Sequence, residues 1–570
     1  MTFCFRRTPT LLATSTLISA GIPFAQAHGA DQMEIMERQI RAMQAQLNAM
    51  KKEHAAEVKK ARAIIARQRE EAENNPYATR RTYLGPASHF ATGGQGSWTV
   101  NQPMLAPPRT ASTPYGEVTG TPPAHSSLYG PLRRGQIQVG GIRITLGGFA
   151  EAAGMWRSRN TASDISTGFN AIPWGNDPAH HMNEFHQSER QSRLAALVEG
   201  KITPNLEADG YIETDFQGAG SSSNSRQSNS YVLRTRVFYG ELKDRADDLQ
   251  VLGGQNWSLI TMFNKGMSAR DEQIPLTIEA QYVPGFNWTR NSQIRIVKGF
   301  DNSKYHAGLS IENPSAVPSG TPYEPTGTTV TYKQNGTNVN NPNTYYSTDI
   351  APDVVAKLSA DPGWGHYEVT GVLRFLHDRT SKLGGGTSHT TVAGGGGGGL
   401  ILPLIKKKLY FQASGLVGVG IGRYGTSNIP DYAFNQNGSP NPLPEANALI
   451  GLYGNPTKAL RLYGYAGAEE VTSRKYFNAN GKSYGYGNPL YNMSGCNTEL
   501  SSVCAAGANV HTVAQATTGF WYDYLKGDYG TIRIGGQYSY TYENAFSAVG
   551  GRPHTDDNMF FMSLRYMPFN

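Results

Sequence analysis

The chain of 570 residues is poor in cysteine, in charged residues and in long apolar runs. It contains 3 Cys, and only 17% of its residues are charged. Beyond residue 27, no stretch approaches the roughly eighteen consecutive apolar residues that a membrane-spanning helix needs. The formal net charge is a mild +7, and the sequence has no basic tail. These absences argue against membrane-spanning helices and against nucleic acid as a partner.

The N-terminus has the three parts of an export signal in their usual order. Arg6-Arg7 is a short basic region, residues 11–24 are largely apolar, and Ala25-Gln26-Ala27 supplies small residues for cleavage. An ordinary buried N-terminal helix is the alternative interpretation. We predict a signal peptide over residues 1–27, so that the mature chain is exported.

The cysteines predict one disulfide and no metal site. Cys4 lies in the predicted signal, which leaves Cys496 and Cys504 in a loop rich in Gly, Asn and Ser. An even pair at short spacing in an oxidising compartment is typical of a loop-closing disulfide. A structural zinc site needs about four ligands, and only His511 lies nearby.

Motifs typical of enzymes fail in their sequence context. Gly420-x-Gly422-x-x-Gly425 matches a dinucleotide pattern, but Pro430 follows where a helix is required. Gly481-Lys482-Ser483 lacks the first glycine of a phosphate-binding loop, and neither HExxH nor GxSxG occurs. We therefore predict that the protein is not an enzyme and takes no cofactor.

What the chain does contain is glycine and aromatic residues, with 65 Gly, 31 Tyr and 21 Phe. Residues 186–244 form three runs in which charged and apolar residues alternate, so each run predicts a strand with one charged and one apolar face. The charged face of the second run carries Glu207, Asp209, Glu213 and Asp215. A soluble sheet is possible, but long two-faced strands favour a barrel with water inside and lipid outside.

Similar runs continue to the C-terminus and pair into hairpins. Short turns are predicted at 201–205, 243–248, 300–304, 360–365, 402–408, 455–458 and 526–530. Longer loops alternate with them, at 160–187, 218–230, 261–291, 313–346, 380–387, 425–444, 478–509 and 546–555. The pattern predicts an all-β fold, a transmembrane antiparallel β-barrel of about sixteen strands over residues 136–570. The six-glycine run 394–399 predicts a mobile loop end or a weak strand start.

The predicted barrel is preceded by a helix and a linker. Residues 28–73 carry apolar positions at alternating spacings of three and four, which predicts a coiled coil. Its seam includes Met33, Met36, Ile40, Met43, Leu47 and Met50. An amphipathic helix lying on the barrel would show a similar stripe. Residues 74–135 are rich in Pro, Gly, Ser and Thr and predict a linker.

Arginines occupy the predicted inner face of the strands. A guanidinium facing lipid would cost about 2–4 kcal/mol, so these side chains should face the lumen. The set comprises Arg193, Arg234, Arg236, Arg295, Arg374, Arg461 and Arg533. They could brace the wall by pairing with the acidic face of the second run. Left unpaired, they would attract anions and bind carboxylates in bidentate fashion.

The long loop 261–291 carries Lys265, Arg270, Asp271 and Glu272. A loop of this length needs packing partners, and folding into the pore would supply them. The alternative is an exposed loop with solvated charges. We predict that Arg193, Arg234, Arg236 and Arg295 line the pore, joined by Lys265 and Arg270 from this loop.

From about residue 140 onward the chain resembles the DcaP-like family of trimeric outer-membrane porins. The resemblance is clearest at Leu146-Gly147-Gly148-Phe149, Phe169-Asn170-Ala171-Ile172-Pro173, Gln191-Ser192-Arg193-Leu194 and Gly254-Gln255-Asn256-Trp257-Ser258. It implies a sixteen-stranded homotrimer in the outer membrane of a Gram-negative bacterium, a periplasmic coiled coil, and a preference for negatively charged solutes such as dicarboxylates.

These features predict a porin for passive diffusion of small hydrophilic solutes, with outer-membrane lipid around it and anions as the preferred solutes. A sugar-selective porin is one alternative, because Tyr463 and Tyr465 could contribute to an aromatic track. A structural or adhesive trimeric surface protein is another, based on the coiled coil and linker.

Overall fold

The computed structural model describes residues 44, 113–124, 128, 130–221, 231–337 and 345–570. All of these except Gln44 belong to a compact unit spanning Pro103–Asn570. The predicted signal peptide, nearly all of the predicted coiled coil and most of the predicted linker lie outside the described residues. Those three assignments therefore stay predictions.

Sixteen antiparallel strands form a closed barrel. They are β1 Ile142–Arg157, β2 in two segments Glu184–Ser188 and Arg193–Lys201, β3 Leu206–Ser221, β4 Tyr231–Asp244, β5 Leu249–Trp257, β6 Arg290–Phe300, β7 Tyr305–Glu312, β8 Asp353–Ala360, β9 His366–Lys382, β10 Gly385–Ile405, β11 Leu409–Val419, β12 Pro444–Gly454, β13 Leu460–Val471, β14 Val510–Gly527, β15 Gly530–Ala545 and β16 His554–Met567. Pairing of β1 with β16, for example Ala150 opposite Tyr566, closes the wall. The predicted barrel and its strand number are confirmed.

A short helix, α1 (Pro114–Thr119), precedes the barrel. The Thr113 side chain accepts a hydrogen bond from the Gly116 amide at 2.9 Å, Pro114 opens the first turn, and Gly120 ends the helix at a φ of 59°. Other short elements are the strands Gln136–Val139, Thr328–Thr331, Lys333–Asn335, Tyr345–Ser347, Tyr432–Phe434, Pro440–Pro442, Lys475–Ala479 and Lys482–Tyr486, and the 3₁₀ turns Pro178–His181, Gly422–Tyr424 and Ala506–Ala508. Helix α1 is ordered although its residues fall in the range predicted as linker.

The two ends of the barrel differ. At one end, here called the turn end, neighbouring strands are joined by short turns such as the one between β2 and β3. At the other, the loop end, the connections are longer, and several carry the additional short strands. The connection between β9 and β10 is an exception, because these strands extend until only two residues separate them. The predicted alternation of short turns and long loops is otherwise present.

The strands have a polar inner face and an apolar outer face. Arg193 is 1% exposed, whereas the next residue, Leu194, points outward and is 60% exposed. Arg236, Arg295 and Arg374 are likewise buried, and apolar neighbours of opposite parity, such as Leu233, Ile294 and Leu373, lie on the outside. This alternation of inner and outer side chains follows from the strand period of two.

The six-glycine run is not a loop end or a strand start, and that prediction is wrong. Gly394–Gly399 lies within β10, paired with β9 on one side and β11 on the other. A Cβ at Gly397 would come within 2.0 Å of the Gly415 carbonyl oxygen, and one at Gly394 within 2.1 Å of the Val372 oxygen. Hydrogen bonding to strands on both sides therefore outweighs the weak strand preference of glycine. Because the neighbouring backbones approach so closely, only glycine fits at these two positions without displacing them.

Cys496 and Cys504 form the predicted disulfide, which closes a nine-residue loop at the loop end. Cys496 is buried and packs with the core of the barrel. Among the described residues, no helix is long and apolar enough to cross a membrane. In the same part of the chain, no three His, Cys, Asp or Glu side chains are grouped to hold a metal ion.

Candidate functional site

The segment joining β5 to β6, residues 258–289, folds into the barrel rather than over its rim. Its apolar side chains are buried, among them Leu259, Phe263, Met267, Ile274, Ile278 and Val283. We call this segment the inward loop. Its inward course agrees with the prediction, because the interior supplies the packing partners that a long exposed loop would lack.

Polar side chains of the wall hold the inward loop by its backbone. Glu312 accepts a hydrogen bond from the Leu259 amide at 3.0 Å. Glu368 accepts one from Phe263 at 2.8 Å. Across the lumen, Gln537 of β15 accepts from the Ile278 amide at 2.6 Å. The loop therefore spans the interior and is attached to strands on opposite sides.

Helix α1 and the residues after it enter the turn-end half of the barrel. Val118 is buried, and the Gly148 amide of β1 donates to the Gly120 carbonyl at 2.9 Å. A Cβ at Gly147 would lie 2.5 Å from Cδ of Pro122, so glycine provides the space for this segment. The barrel wall is thus shaped to receive α1.

Five inward arginines surround α1, and we call them the arginine row: Arg193, Arg236, Arg461, Arg533 and Arg565. They come from β2, β4, β13, β15 and β16. The phenol of Tyr115 accepts from Arg193 at 3.0 Å and from Arg236 at 3.5 Å. The remaining three arginines meet the C-terminal part of α1.

In that part of α1, main-chain and side-chain oxygens both face guanidinium groups. The Glu117 carboxylate accepts from Arg461 Nε at 3.1 Å, and the Glu117 carbonyl accepts from Arg533 at 2.6 Å. The Val118 carbonyl accepts from Arg565 at 3.0 Å. Carbonyls at the end of a helix carry partial negative charge, which suits the positive row.

The row is also paired with carboxylates of the wall. Arg236 binds Glu213 at 2.6 Å and Asp215 at 3.0 Å. Arg193 lies 3.6 Å from Glu213, too far for a hydrogen bond. Arg461 and Arg533 share Asp523, and Arg565 binds Glu151 at 2.9 Å. Bracing of the wall, one of the two predicted roles, therefore accounts for several of these contacts.

Pairing leaves some donors unused. Within the described part of the chain, Nε and Nη1 of Arg193, Nη2 of Arg533 and Nη1 of Arg295 have no hydrogen-bond partner. Each of these atoms is buried. Buried donors without acceptors are costly, so they favour the approach of a group that only accepts hydrogen bonds.

The other predicted site residues lie at several places. Arg234 is one-third exposed and binds Asp215 through two hydrogen bonds of 2.9 and 2.7 Å. Arg270 donates to the carbonyls of Pro123 and Ala124 at 3.2 and 3.1 Å, in the segment that follows α1.

The last two predicted residues lie apart from the row. Arg295 packs over the Phe263 ring at 5.8 Å. Lys265 is exposed beside a cavity of about 800 Å³ between the turns at the turn end. The structure therefore brings Arg193, Arg234 and Arg236 together around Glu213 and Asp215. Arg270, Arg295 and Lys265 lie instead near Asp271 and Glu272 of the inward loop.

Four participants were not among the residues predicted from the sequence, namely Tyr115, Glu117, Arg290 and Arg565. Tyr115 and Glu117 fall in the range predicted as linker, although Thr113-Pro114 is a helix-start signal and Gly120 a helix-stop signal. Arg290, at the start of β6, lies over Trp257 and Trp288 at 5.0 and 5.2 Å. The helix has only six residues, and the proline and glycine at its ends were counted as part of the linker composition.

Two acidic side chains of the inward loop, Asp271 and Glu272, lie near Arg270 in a setting that favours their neutral forms. Burial and, to a smaller extent, the neighbouring Glu272 carboxyl together raise the pKa of Asp271 to about 8. Burial likewise raises the pKa of Glu272 to about 7. Near neutral pH, the loop therefore offsets less of the positive charge than its sequence suggests.

The tyrosines considered for a sugar track are covered by the inward loop. Tyr463 and Tyr465 are both buried, and Tyr465 accepts a hydrogen bond from the Leu276 amide at 3.3 Å. Tyr463 binds Gln537 at 3.1 Å. These rings pack against protein instead of lining an open path, so the geometry does not favour the sugar-selective alternative.

No protein-family profile and no curated protein sequence matches the chain. Among solved structures, the outer membrane channel DcaP of Acinetobacter baumannii is similar, with a TM-score of 0.53 and 16% identity over 76% of this chain and 99% of that one. OprB of Pseudomonas putida has a TM-score of 0.41 and 10% identity, over 75% and 94%. The anion-selective porin of Comamonas acidovorans has a TM-score of 0.40 and 11% identity, over 75% of this chain and 99% of that one. The resemblance to DcaP-like porins is therefore confirmed for the fold, and the chain is a β-barrel with the architecture of the DcaP outer membrane channel.

Proposed function

We propose that the protein is an outer-membrane porin for small hydrophilic solutes and that it prefers anions. The observation that carries this proposal is an excess of positive charge beside the inward loop. Arg193, Arg234, Arg236 and Arg290 gather there around two carboxylates, Glu213 and Asp215. A fixed positive field of this kind raises the local concentration of anions and repels cations.

Passage would require no covalent chemistry. A solute would enter between the long loops, pass the arginines beside the inward loop and leave at the turn end. Arg234, whose side chain is about one-third exposed, would meet it first. The bidentate geometry of guanidinium suits carboxylates, which supports organic acids as the solute class.

The surroundings follow from the two faces of the wall. Exposed Leu, Ile, Val, Phe and Tyr side chains cover the outside of the strands, which suits contact with outer-membrane lipid. In this arrangement the turn end faces the periplasm, and the predicted coiled coil joins three chains there into a homotrimer.

Reversal potentials in planar bilayers test the anion preference. The full-length protein is placed in a KCl gradient, and succinate or maltose is then added to one side. We expect a reversal potential of the sign for chloride and block by succinate but not by maltose. Cation selectivity, or block by maltose alone, would contradict the proposal.

Arginine substitutions distinguish solute contact from bracing. Arg234→Ala should reduce anion selectivity and succinate block, because Arg234 is partly exposed to the lumen. Arg379→Ala is the matched control, since Arg379 is exposed and bonds to Ser388 near the β9–β10 turn. Equal effects of the two substitutions would show that Arg234 has no special contact with the solute.

A further inference from the structure

The phenol of Tyr115 occupies a pocket that has the features of a ligand site. Its hydroxyl lies between Arg193 and Arg236. The Arg193 guanidinium lies 5.5 Å from the centre of the Tyr115 ring and 5.4 Å from that of Phe149. The Tyr282 ring packs edge-on against the Tyr115 ring, with 6.5 Å between the ring centres. An aromatic ring that ends in an oxygen is thus held by two cations and by other rings.

The same pocket has donors that Tyr115 does not use. Nε and Nη1 of Arg193 and Nδ2 of Asn256 are buried and have no hydrogen-bond partner among the described residues. Asn256 also lines a cavity of about 20 Å³ next to Tyr115, which is room for about one water molecule. A phenol oxygen is one atom, whereas a carboxylate offers two acceptor oxygens and would satisfy more of these donors.

We propose that the Tyr115 pocket is a binding site for aromatic carboxylates and that Tyr115 occupies it as an internal ligand. The ring of the solute takes the place of the Tyr115 ring, and its carboxylate binds Arg193 and Arg236. This proposal rests on the proposed anion channel and names its solute class. Because Tyr115 belongs to α1 and not to the barrel wall, the pocket opens when α1 moves toward the turn end.

The contacts of α1 suit displacement by an anion. Most of its polar contacts with the barrel are hydrogen bonds from arginines to Tyr115, Glu117 and Val118. An incoming carboxylate offers Arg193 and Arg236 a charged acceptor in place of the neutral Tyr115 phenol. A carboxylate carries a full negative charge and can accept two parallel hydrogen bonds from a guanidinium, so it binds these arginines more strongly than the neutral phenol oxygen does.

Current block by two matched acids tests the pocket. Benzoate and cyclohexanecarboxylate have the same charge and similar size, but only benzoate has a π face for Arg193. They are titrated against the full-length wild type, Tyr115→Ala and Tyr115→Phe in bilayers. Tyr529→Ala serves as the control, because Tyr529 is an exposed tyrosine on the turn between β14 and β15.

We expect Tyr115→Ala to lower the half-blocking concentration of benzoate about tenfold relative to the wild type. In the same variant, the half-blocking concentration of cyclohexanecarboxylate should be several-fold higher than that of benzoate. Tyr115→Phe keeps the ring and loses the hydroxyl, so it should lie between wild type and Tyr115→Ala. Tyr529→Ala should match the wild type. Heat-dependent gel mobility confirms that each variant has a folded barrel.

An equal gain for both acids, or no gain for benzoate, would overturn the aromatic pocket. Reversal potentials measured in the same membranes distinguish failure of the pocket proposal from failure of the proposed function. Anion selectivity without a benzoate preference contradicts the pocket alone. Cation selectivity combined with a benzoate preference contradicts the proposed function and supports the pocket.

Discussion

At the scale of single residues, burial decides how much charge the arginines contribute. Arg236 is buried and binds both Glu213 and Asp215, whereas Arg234 binds the two oxygens of Asp215 and remains partly exposed. A buried guanidinium that lost its acids would be costly, so the acids stabilise the arginines in place. These arginines and acids therefore both stabilise the barrel and set the electrostatic field in the lumen.

Replacing Arg236 by alanine should destabilise the barrel. Glu213 and Asp215 would remain buried with fewer partners, at a cost of about 3–5 kcal/mol. Urea unfolding in detergent, followed by tryptophan fluorescence, measures the free energy of unfolding. Arg379→Ala, at an exposed site, should stay within about 0.5 kcal/mol of wild type. Similar values for the two variants would contradict the bracing role.

Lower pH should make the protein more anion-selective. Asp271 and Glu272, with pKa values of about 8 and about 7, are increasingly neutral as pH falls from 9 to 6. Neutral acids no longer offset the arginines, so the reversal potential should move toward that of chloride. The double variant Asp271→Asn, Glu272→Gln should be selective over the whole range and nearly independent of pH. A pH dependence that survives in this variant would refute the assignment.

At the scale of elements, close backbone contacts set the positions of the glycines and of α1. Strand β10 approaches β11 closely along the six-glycine run, and β1 leaves room at Gly147 for Pro122. The inward loop and α1 together bring apolar side chains and main-chain polar groups into a lumen that is otherwise lined by charge. These two segments, more than the strands, shape the route through the barrel.

Two alanine substitutions in β10 should differ in their effects. A Cβ at Gly397 would lie 2.0 Å from the Gly415 oxygen, so Gly397→Ala should force the strands apart at a cost of about 1–3 kcal/mol. A Cβ at Gly396 would be 3.6 Å from the Thr370 oxygen, an ordinary contact. Gly396→Ala is thus the matched control. The folded fraction on cold gels should fall for the first variant only.

At the scale of the whole molecule, closure of the barrel means that one chain can fold without assembling with others. Pairing of β1 with β16 leaves the sheet without a free edge, so a single chain can satisfy its main-chain hydrogen bonds. The predicted coiled coil would then act on assembly and not on the fold of the barrel.

Seam substitutions in the predicted coiled coil should weaken the trimer and spare the barrel. Met43→Asp together with Leu47→Asp places charge in the seam, where it opposes packing between helices. Gln44→Asp lies off the seam and serves as the control. Native electrophoresis and light scattering should show smaller particles for the seam variant, with unchanged heat-dependent mobility. An intact trimer would contradict assembly through this helix.

The sequence by itself determined the barrel, its strand number, its two faces, its turn and loop ends and its disulfide. These features follow from local signals, namely alternation with a period of two, turn residues and a cysteine pair at short spacing. Tertiary structure alone decided which acid each arginine binds, how the glycine run pairs and where α1 lies. Tyr115 and Arg236, for example, are 121 residues apart and meet only inside the closed barrel. Such contacts depend on packing between distant segments, which leaves no periodic signal in the chain.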